Sequence, residues 1–290
     1  MTARTVELSV VIAAYNAATT IGEQLRAVLA QRWDGVWEVI VAENGSTDGT
    51  RRVVEQIARG DGRVRLVDAA DRRGAAHARN CGVAAAHGEL IAFCDADDVV
   101  GDAWLAAMGG ALRIAPFVTG PLDHERLNPP WLWGIYGHAP ARDLQWFAGI
   151  FPFGPTANLG VQRKVFTELG GFDTSVEVYE DLDLCLGLWL RDVPLAFVPD
   201  AKVYYRYRAD LRQLWRQAHA YGAARPAIAR RLAEAGRSVP PRWSGLRNWV
   251  WLIRKLPTLR SRAGRARWVV VAGGAMGRLG GTVRHRHVAL

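Results

Sequence analysis

The chain has 290 residues, half of them hydrophobic, enough for one large α/β domain or one domain with an appendage. Its three cysteines, Cys81, Cys94 and Cys185, form no CxxC pair; this argues against a disulfide framework and a paired-cysteine zinc site and predicts a cytoplasmic protein. The net charge of +9 is uneven: residues 1–200 carry 17 basic and 26 acidic side chains, residues 201–290 carry 20 and 2, so an acidic body precedes a basic tail.

The first apolar run, "ELSVVIAA" (7–14), predicts a strand; its Glu7 and the lack of a small-residue cleavage site argue against a signal peptide. A helix is predicted over 19–31, with Ile21, Leu25, Val28 and Leu29 on one face. Then come a strand at 36–43, a helix at 48–59 with Asp48 as N-cap, a strand at 63–68 and an alanine-rich helix at 74–86. With the strand in "ELIAFCDADD" this βαβαβαβ order predicts a mostly parallel sheet flanked by helices, with ligands beyond the carboxyl ends of its strands. Residues 114–162, rich in Trp, Pro and Gly, predict loops and a few short strands. A helix over 177–192 and strands in "LAFVP" and "KVYYRYR" follow. From 210 the pattern is helical, with Leu211, Leu214, Trp215, Ala218 and Tyr221 on one face and a break at Pro240-Pro241. The longest apolar stretch, "WVVVAGGAMG" from Trp268, is about half of what a spanning helix needs.

The stretch "ELIAFCDADDVV" (89–100) ends a buried strand on Asp95, Asp97 and Asp98. Carboxylates packed this closely repel one another, and a divalent cation relieves the repulsion. Mg or Mn prefers oxygen ligands shared with substrate phosphates, which suits D-x-D at a strand end. The same residues also fit a solvated acidic turn capping the next helix, with Asp102 as a further cap. "FCDADDV" fits the haloacid-dehalogenase phosphatase pattern as well, with Asp95 as nucleophile and Asp97 as general acid. That pattern belongs on a first strand and precedes a later lysine. Here three strands come before it, and lysines are few (Lys164, Lys202, Lys255). "VAENGS" is not a P-loop, no G-x-G-x-x-G follows the first strand, and the histidines show no metal-ligand spacing.

Four segments stand in one order: "SVVIAAYNAATTIGEQLRAVLAQ", "EVIVAENGSTDGTRRVVEQ", "RRGAAHARNCGVAAAHGELIAFCDADD" and "LGGFDTSVEVYEDLDLCLGLWLRD". Together, over about residues 7–208, they resemble family 2 glycosyltransferases, inverting enzymes of the GT-A fold. The resemblance implies a GT-A domain at 1–208 and a basic helical appendage at 209–290. It also implies a nucleotide-sugar donor, Mg or Mn, and a hydroxyl acceptor such as a glycan or lipid-linked precursor of cell-wall or polysaccharide biosynthesis. By position, Tyr15 would line the nucleotide pocket and Glu43, where the family usually has Asp, would hydrogen-bond the nucleobase. Arg79 and Asn80 would lie near the nucleotide and its phosphates, Asp95 at the ribose and Asp97 on the metal. Glu180 and Asp181 match the family's acidic pair, with Asp181 as the general base. The residues alone also fit helix-start acids favoured by the dipole by about 0.3–1 kcal/mol, and Asp183 fits a helix-surface or orienting role. Where relatives carry a late His, this chain has Tyr204 and Tyr205, so the metal would rest on Asp97, phosphates and water. A non-catalytic nucleotide-sugar binder remains the other alternative.

In the tail, Trp215, Trp243, Trp249, Trp251 and Trp268 alternate with arginines, and "GLRNWVWLIRKLPTLRSRAGRARW" places apolar and basic groups on adjacent helix faces. Such a surface suits an anionic membrane at the inner face of the cell, or a helical cap with solvated arginines. No RRM, KH or zinc-finger pattern points to nucleic acid.

Overall fold

The computed structural model describes residues 5–136, 142–176, 178–239 and 245–285. Two units divide the chain. One contains Met1–Asp123, Pro140–Phe147 and Phe151–Tyr205, the other His124–Ala139, Ala148–Ile150 and Arg206–Leu290.

The first unit starts with the predicted alternation: β1 (Val6–Ala14), α1 (Ile21–Leu29), β2 (Val36–Glu43), α2 (Thr50–Gly60), β3 (Val64–Asp68), α3 (Ala75–Ala85) and β4 (Leu90–Phe93). It continues through β5 (Val99–Val100), α4 (Trp104–Leu112), β6 (Phe117–Thr119), β7 (Leu122–Asp123), β8 (Gln145–Phe147), β9 (Phe151–Phe153), β10 (Leu159–Gln162), α5 (Arg163–Leu169), α6 (Glu180–Trp189), β11 (Leu195–Phe197) and β12 (Val203–Tyr204). The main sheet runs β11-β6-β10-β4-β1-β2-β3. It is mostly parallel; β10 alone runs against its neighbours β4 and β6. Continuous apolar runs reflect burial on both faces: Val10, Val11, Ile12, Ile40, Val41, Ile91 and Phe93 have no solvent exposure. Gly82 lets α3 approach the sheet, because a Cβ there would meet Val11 Cγ1 at 2.5 Å.

Three local expectations change. Helix α6 begins at Glu180 rather than 177, because Tyr179 is left-handed with φ 70°. Helix α2 begins at Thr50 with Gly49 in the cap position, so Asp48 does not cap it. From the position before the cap, Asp48 accepts from Thr50 N–H at 2.9 Å and Ala18 N–H at 3.1 Å, and so ties the start of α2 to the loop after β1. Helix α4 begins at Trp104 with Ala103 in the cap position, so Asp102 caps nothing there. The irregular middle holds the short strands expected of it, and two of them, β6 and β10, join the central sheet.

The second unit holds α7 (Leu211–Glu234), α8 (Leu246–Arg254) and α9 (Arg262–His285). Asp210 caps α7 by accepting from Arg212 and Gln213 N–H. On α9, Gly273, Gly277 and Gly281 recur every four residues against α7; a Cβ on them would meet the carbonyls of Trp215, His219 and Ala223. The two backbones therefore touch. Among the described residues no helix is long and apolar enough to cross a membrane. Pro240-Pro241 and Trp243 lie outside the described residues.

Candidate active site

In the parallel register Ala14 lies beside Glu43 and Glu43 beside Asp68, while β4 pairs with β1 up to Phe93. Tyr15, Glu43 and Asp95 therefore emerge at one edge of the sheet. The loops above this edge are laced together. Asn16, left-handed at φ 49°, accepts from Thr47 N–H at 2.8 Å and donates its own N–H to Ser46 Oγ at 3.0 Å. Ala17 N–H donates to Thr50 Oγ1 at 2.8 Å. The Asn44 amide donates to the carbonyls of Ala69 and Arg72 and accepts from Gly74 N–H. Tyr15 is 51% exposed, with the Arg73 guanidinium 4.5 Å from its ring centre.

Glu43 is buried. Its carboxylate accepts from Ser46 N–H at 2.5 Å and from Arg51 at 3.2 Å. Burial works against its ionisation; the Ser46 and Arg51 contacts outweigh that and hold the carboxyl below its ordinary value.

Arg79 is the hub. It projects from α3, is 4% exposed, and donates to Asp95 Oδ1 and to Glu180 Oε1, each at 2.7 Å. Burial opposes its charge, but the two carboxylates outweigh it and its pKa rises. The Asp95 carbonyl accepts from Gln24 Nε2 at 2.9 Å, and Gln24 Oε1 accepts from Val100 N–H, so a buried amide holds the acidic turn from below. Asn80 uses both ends of its amide on the main chain of Phe172, at 2.9 and 3.0 Å. Gly171, at φ 76°, makes this approach possible: a Cβ would lie 2.8 Å from Asn80 Oδ1. Arg79 and Asn80 thus bring the segment before α6 to the β4 end.

Asp181 stands in the first turn of α6, partly accessible, and accepts from Leu182 N–H at 2.7 Å. Burial, and next the neighbouring Glu180 charge, push its carboxyl from 3.8 up to about 7. Asp95, Asp97 and Asp98 each offer an oxygen within 4.8 Å of the others. That all-oxygen set fits a hard divalent cation such as Mg or Mn.

The eight sequence-predicted residues lie on β2, on α3, at the start of α6 and in the turns that follow β1 and β4. Three supporting residues carry no role by position in the sequence reading: Gln24, Asn44 and Asp98. Gln24 left a signal, a lone polar residue on the otherwise apolar α1 face with Ile21, Leu25 and Val28. Asp98, 1% exposed, has no such signal, since nothing in the acidic run distinguishes a buried carboxylate from its neighbours.

The family model described as Glycosyl transferase family 2 matches residues 9–170, more than half of the chain. The chain is 36% identical over 99 residues to the UDP-Glc:alpha-D-GlcNAc-diphosphoundecaprenol beta-1,3-glucosyltransferase WfgD of Escherichia coli, covering 34% of this chain and 36% of that one. It is 43% identical over 94 residues to the succinoglycan biosynthesis protein ExoO of Rhizobium meliloti, covering 32% and 26%. The aligned stretch thus spans about a third of the length of these curated relatives, or less. Mannosyltransferase PcManGT from Pyrobaculum calidifontis, solved with GDP-Man and Mn2+, superposes with a TM-score of 0.68 over 96% of this chain and 88% of that one, at 20% identity. The fold is GT-A, and the chain belongs to glycosyl transferase family 2.

Proposed function

We propose that the chain is an inverting glycosyltransferase that moves a sugar from a nucleoside-diphosphate donor to a hydroxyl acceptor. The observation that carries this reading is the Arg79 bridge, which joins Asp95 at the strand end to Glu180 beside Asp181. Donor-side and acceptor-side carboxylates then stand on either side of one guanidinium. The acceptor hydroxyl gives its proton to Asp181, and its oxygen forms the new bond to the sugar C1. The bond from C1 to the diphosphate oxygen breaks, and its electron pair leaves with the nucleoside diphosphate. Attack opposite the leaving group inverts C1. A base with its pKa at about 7 is well placed near neutral pH, where such catalysis contributes roughly 10²–10⁴-fold.

Tyr15 offers an aromatic surface to the nucleobase, and Glu43 shapes that pocket through Ser46 and Arg51. Asp95 faces the ribose. Arg79 and Asn80 build the phosphate end from beneath by fixing Asp95 and Phe172. Asp97, with Asp95 and Asp98 beside it, would hold Mg or Mn, which when bound supplies a Lewis acid for the diphosphate charge.

The proposed acceptor is a lipid-linked glycan precursor, the class that the name of the Escherichia coli relative specifies for that enzyme. The tail supports this. Leu246, Val250 and Ile253, spaced along one α8 face, are 48%, 50% and 70% exposed, and Leu256 follows at 50%. Arg247, Arg254 and Lys255 flank them. An apolar ridge with basic flanks suits a peripheral position on an anionic bilayer at the cytoplasmic face.

The test combines UDP- and GDP-sugars, Mn2+ and a GlcNAc-diphospho-lipid acceptor, with glycosylated product read by mass spectrometry. The expected result is transfer by the parent chain and none by Asp181→Asn. Nucleotide binding without product would instead indicate a non-catalytic binder. Aryl-phosphate hydrolysis lost in Asp95→Asn would indicate a phosphatase.

A further inference from the structure

Outside the acidic turn, α3 and the loop before it gather three side chains of different chemistry. His77 and Cys81 stand one turn apart on the same face of α3, and Asp71 reaches them from the loop. The expectation that no histidine has metal-ligand spacing is corrected here: His77 and Cys81 stand four residues apart in the sequence, and only Asp71 joins them through the loop's path. His77 Nε2 lies 2.8 Å from Asp71 Oδ1 and 3.4 Å from Cys81 Sγ. One ligand atom from each residue lies within 4.8 Å of the others.

Those distances approach a tetrahedral zinc geometry. Bonds of about 2.0–2.1 Å to nitrogen and oxygen and about 2.3 Å to sulfur place ligand atoms about 3.3–3.6 Å apart. The sulfur–nitrogen separation already falls in that range. Asp71, 76% exposed on its loop, would withdraw about 0.5 Å from His77 Nε2 and close on Cys81 Sγ, which lies within 4.8 Å of it.

We infer that Asp71, His77 and Cys81 form a binding site for zinc or a similar borderline transition-metal ion, separate from the all-oxygen turn. A thiolate, an imidazole and a carboxylate select such ions over Mg, whereas Asp95, Asp97 and Asp98 favour hard cations. Without an ion, burial and the nearby Asp71 charge hold the Cys81 thiol protonated, above its ordinary pKa. A bound cation reverses that balance and releases the thiol proton, while the neutral imidazole ligates through Nε2 and carries its proton on Nδ1. The protein supplies three ligands, and water completes the fourth position.

The site has a structural consequence. The residues after Asp71 reach other parts of the site: Arg72 donates to the Thr174 carbonyl at 2.8 Å, and Arg73 lies over the Tyr15 ring. An ion at Asp71 pins this loop to α3, the helix that carries Arg79. This inference does not depend on the sugar-transfer reading.

The test is Co2+ titration of the full chain in excess Mg2+, followed by the near-ultraviolet sulfur-to-cobalt charge-transfer band, with Zn2+ affinity measured by calorimetry. The expected result is a single equivalent with that band, unchanged in Asp97→Ala. Cys81→Ser, close in shape to the parent, should abolish the band and weaken Zn2+ binding about 100-fold or more, and exposed Asp71→Asn should weaken it at least about 10-fold. Absence of the band, unchanged Zn2+ affinity in Cys81→Ser, or loss of Zn2+ binding in Asp97→Ala would each overturn the inference.

Discussion

Replacing Asp181 by Asn should make the protein more stable while removing its activity. The amide keeps the shape and can still accept from Leu182 N–H. It removes an ionisation that the fold disfavours, since burial and Glu180 push the carboxyl from 3.8 to about 7. At about 1.4 kcal/mol per pH unit, the ionised form costs the native state up to about 4 kcal/mol. Solvent reaches the partly accessible carboxyl, so about 2–4 kcal/mol is the expected range. The sign follows from proton binding. Between pH 4 and 7, roughly, the folded chain keeps a proton that the unfolded chain releases, so this group's contribution falls as pH rises across that window. Parent and variant should therefore match near pH 4 and diverge by the full amount at pH 8. Urea unfolding in a chelator, followed by tryptophan fluorescence at both pH values, measures the difference. A gap that does not change with pH, or a variant weaker than the parent at pH 8, would refute the desolvated-base argument. Product formation at saturating donor and acceptor should meanwhile fall by about 10²-fold or more.

Asp97→Ala should abolish Mn2+-dependent UDP binding with little change in the unfolding midpoint, checked by calorimetry and thermal unfolding. Arg79→Lys should lower stability by about 3–5 kcal/mol, because a single ammonium cannot replace the guanidinium between Asp95 and Glu180; denaturant titration tests this. Ile253→Glu, at a 70% exposed position, should leave the unfolding midpoint unchanged and reduce co-sedimentation with anionic vesicles at low salt. Gly277→Val should destabilise the second unit by at least about 3 kcal/mol, since its Cβ would overlap the His219 carbonyl; a midpoint within a degree of the parent would show that α7 and α9 can part without cost.

Much of this protein is legible in local pattern. The strands β1, β2 and β4 are continuous apolar runs because both their faces are covered, and that burial writes itself into consecutive residues. The site positions follow from the same logic: a residue just past such a run stands at the ligand edge of a parallel sheet. Tyr15, Glu43 and Asp95 stand at or just past such strand ends, and their proposed roles come from the family resemblance.

Other features depend on residues far apart in the chain. Arg79 meets Glu180 across 101 positions, and Asn80 meets Phe172 across 92, so no local period records either contact. Asp48 and Asp102 look like helix caps in sequence, but the helices start two residues later, and the Asp48 carboxylate joins the first residue of α2 to Ala18 in the loop after β1. The short strands β6 and β10 lack a distinctive run because three or four residues suffice once neighbouring strands supply the hydrogen bonds. The alternation, the strand-end carboxylates and the charge split are all written in local residue order. Which carboxylates share one guanidinium and which loop reaches His77 and Cys81 emerge on folding, because those pairings are set by how the chain crosses between elements, and local residue preferences do not encode that path.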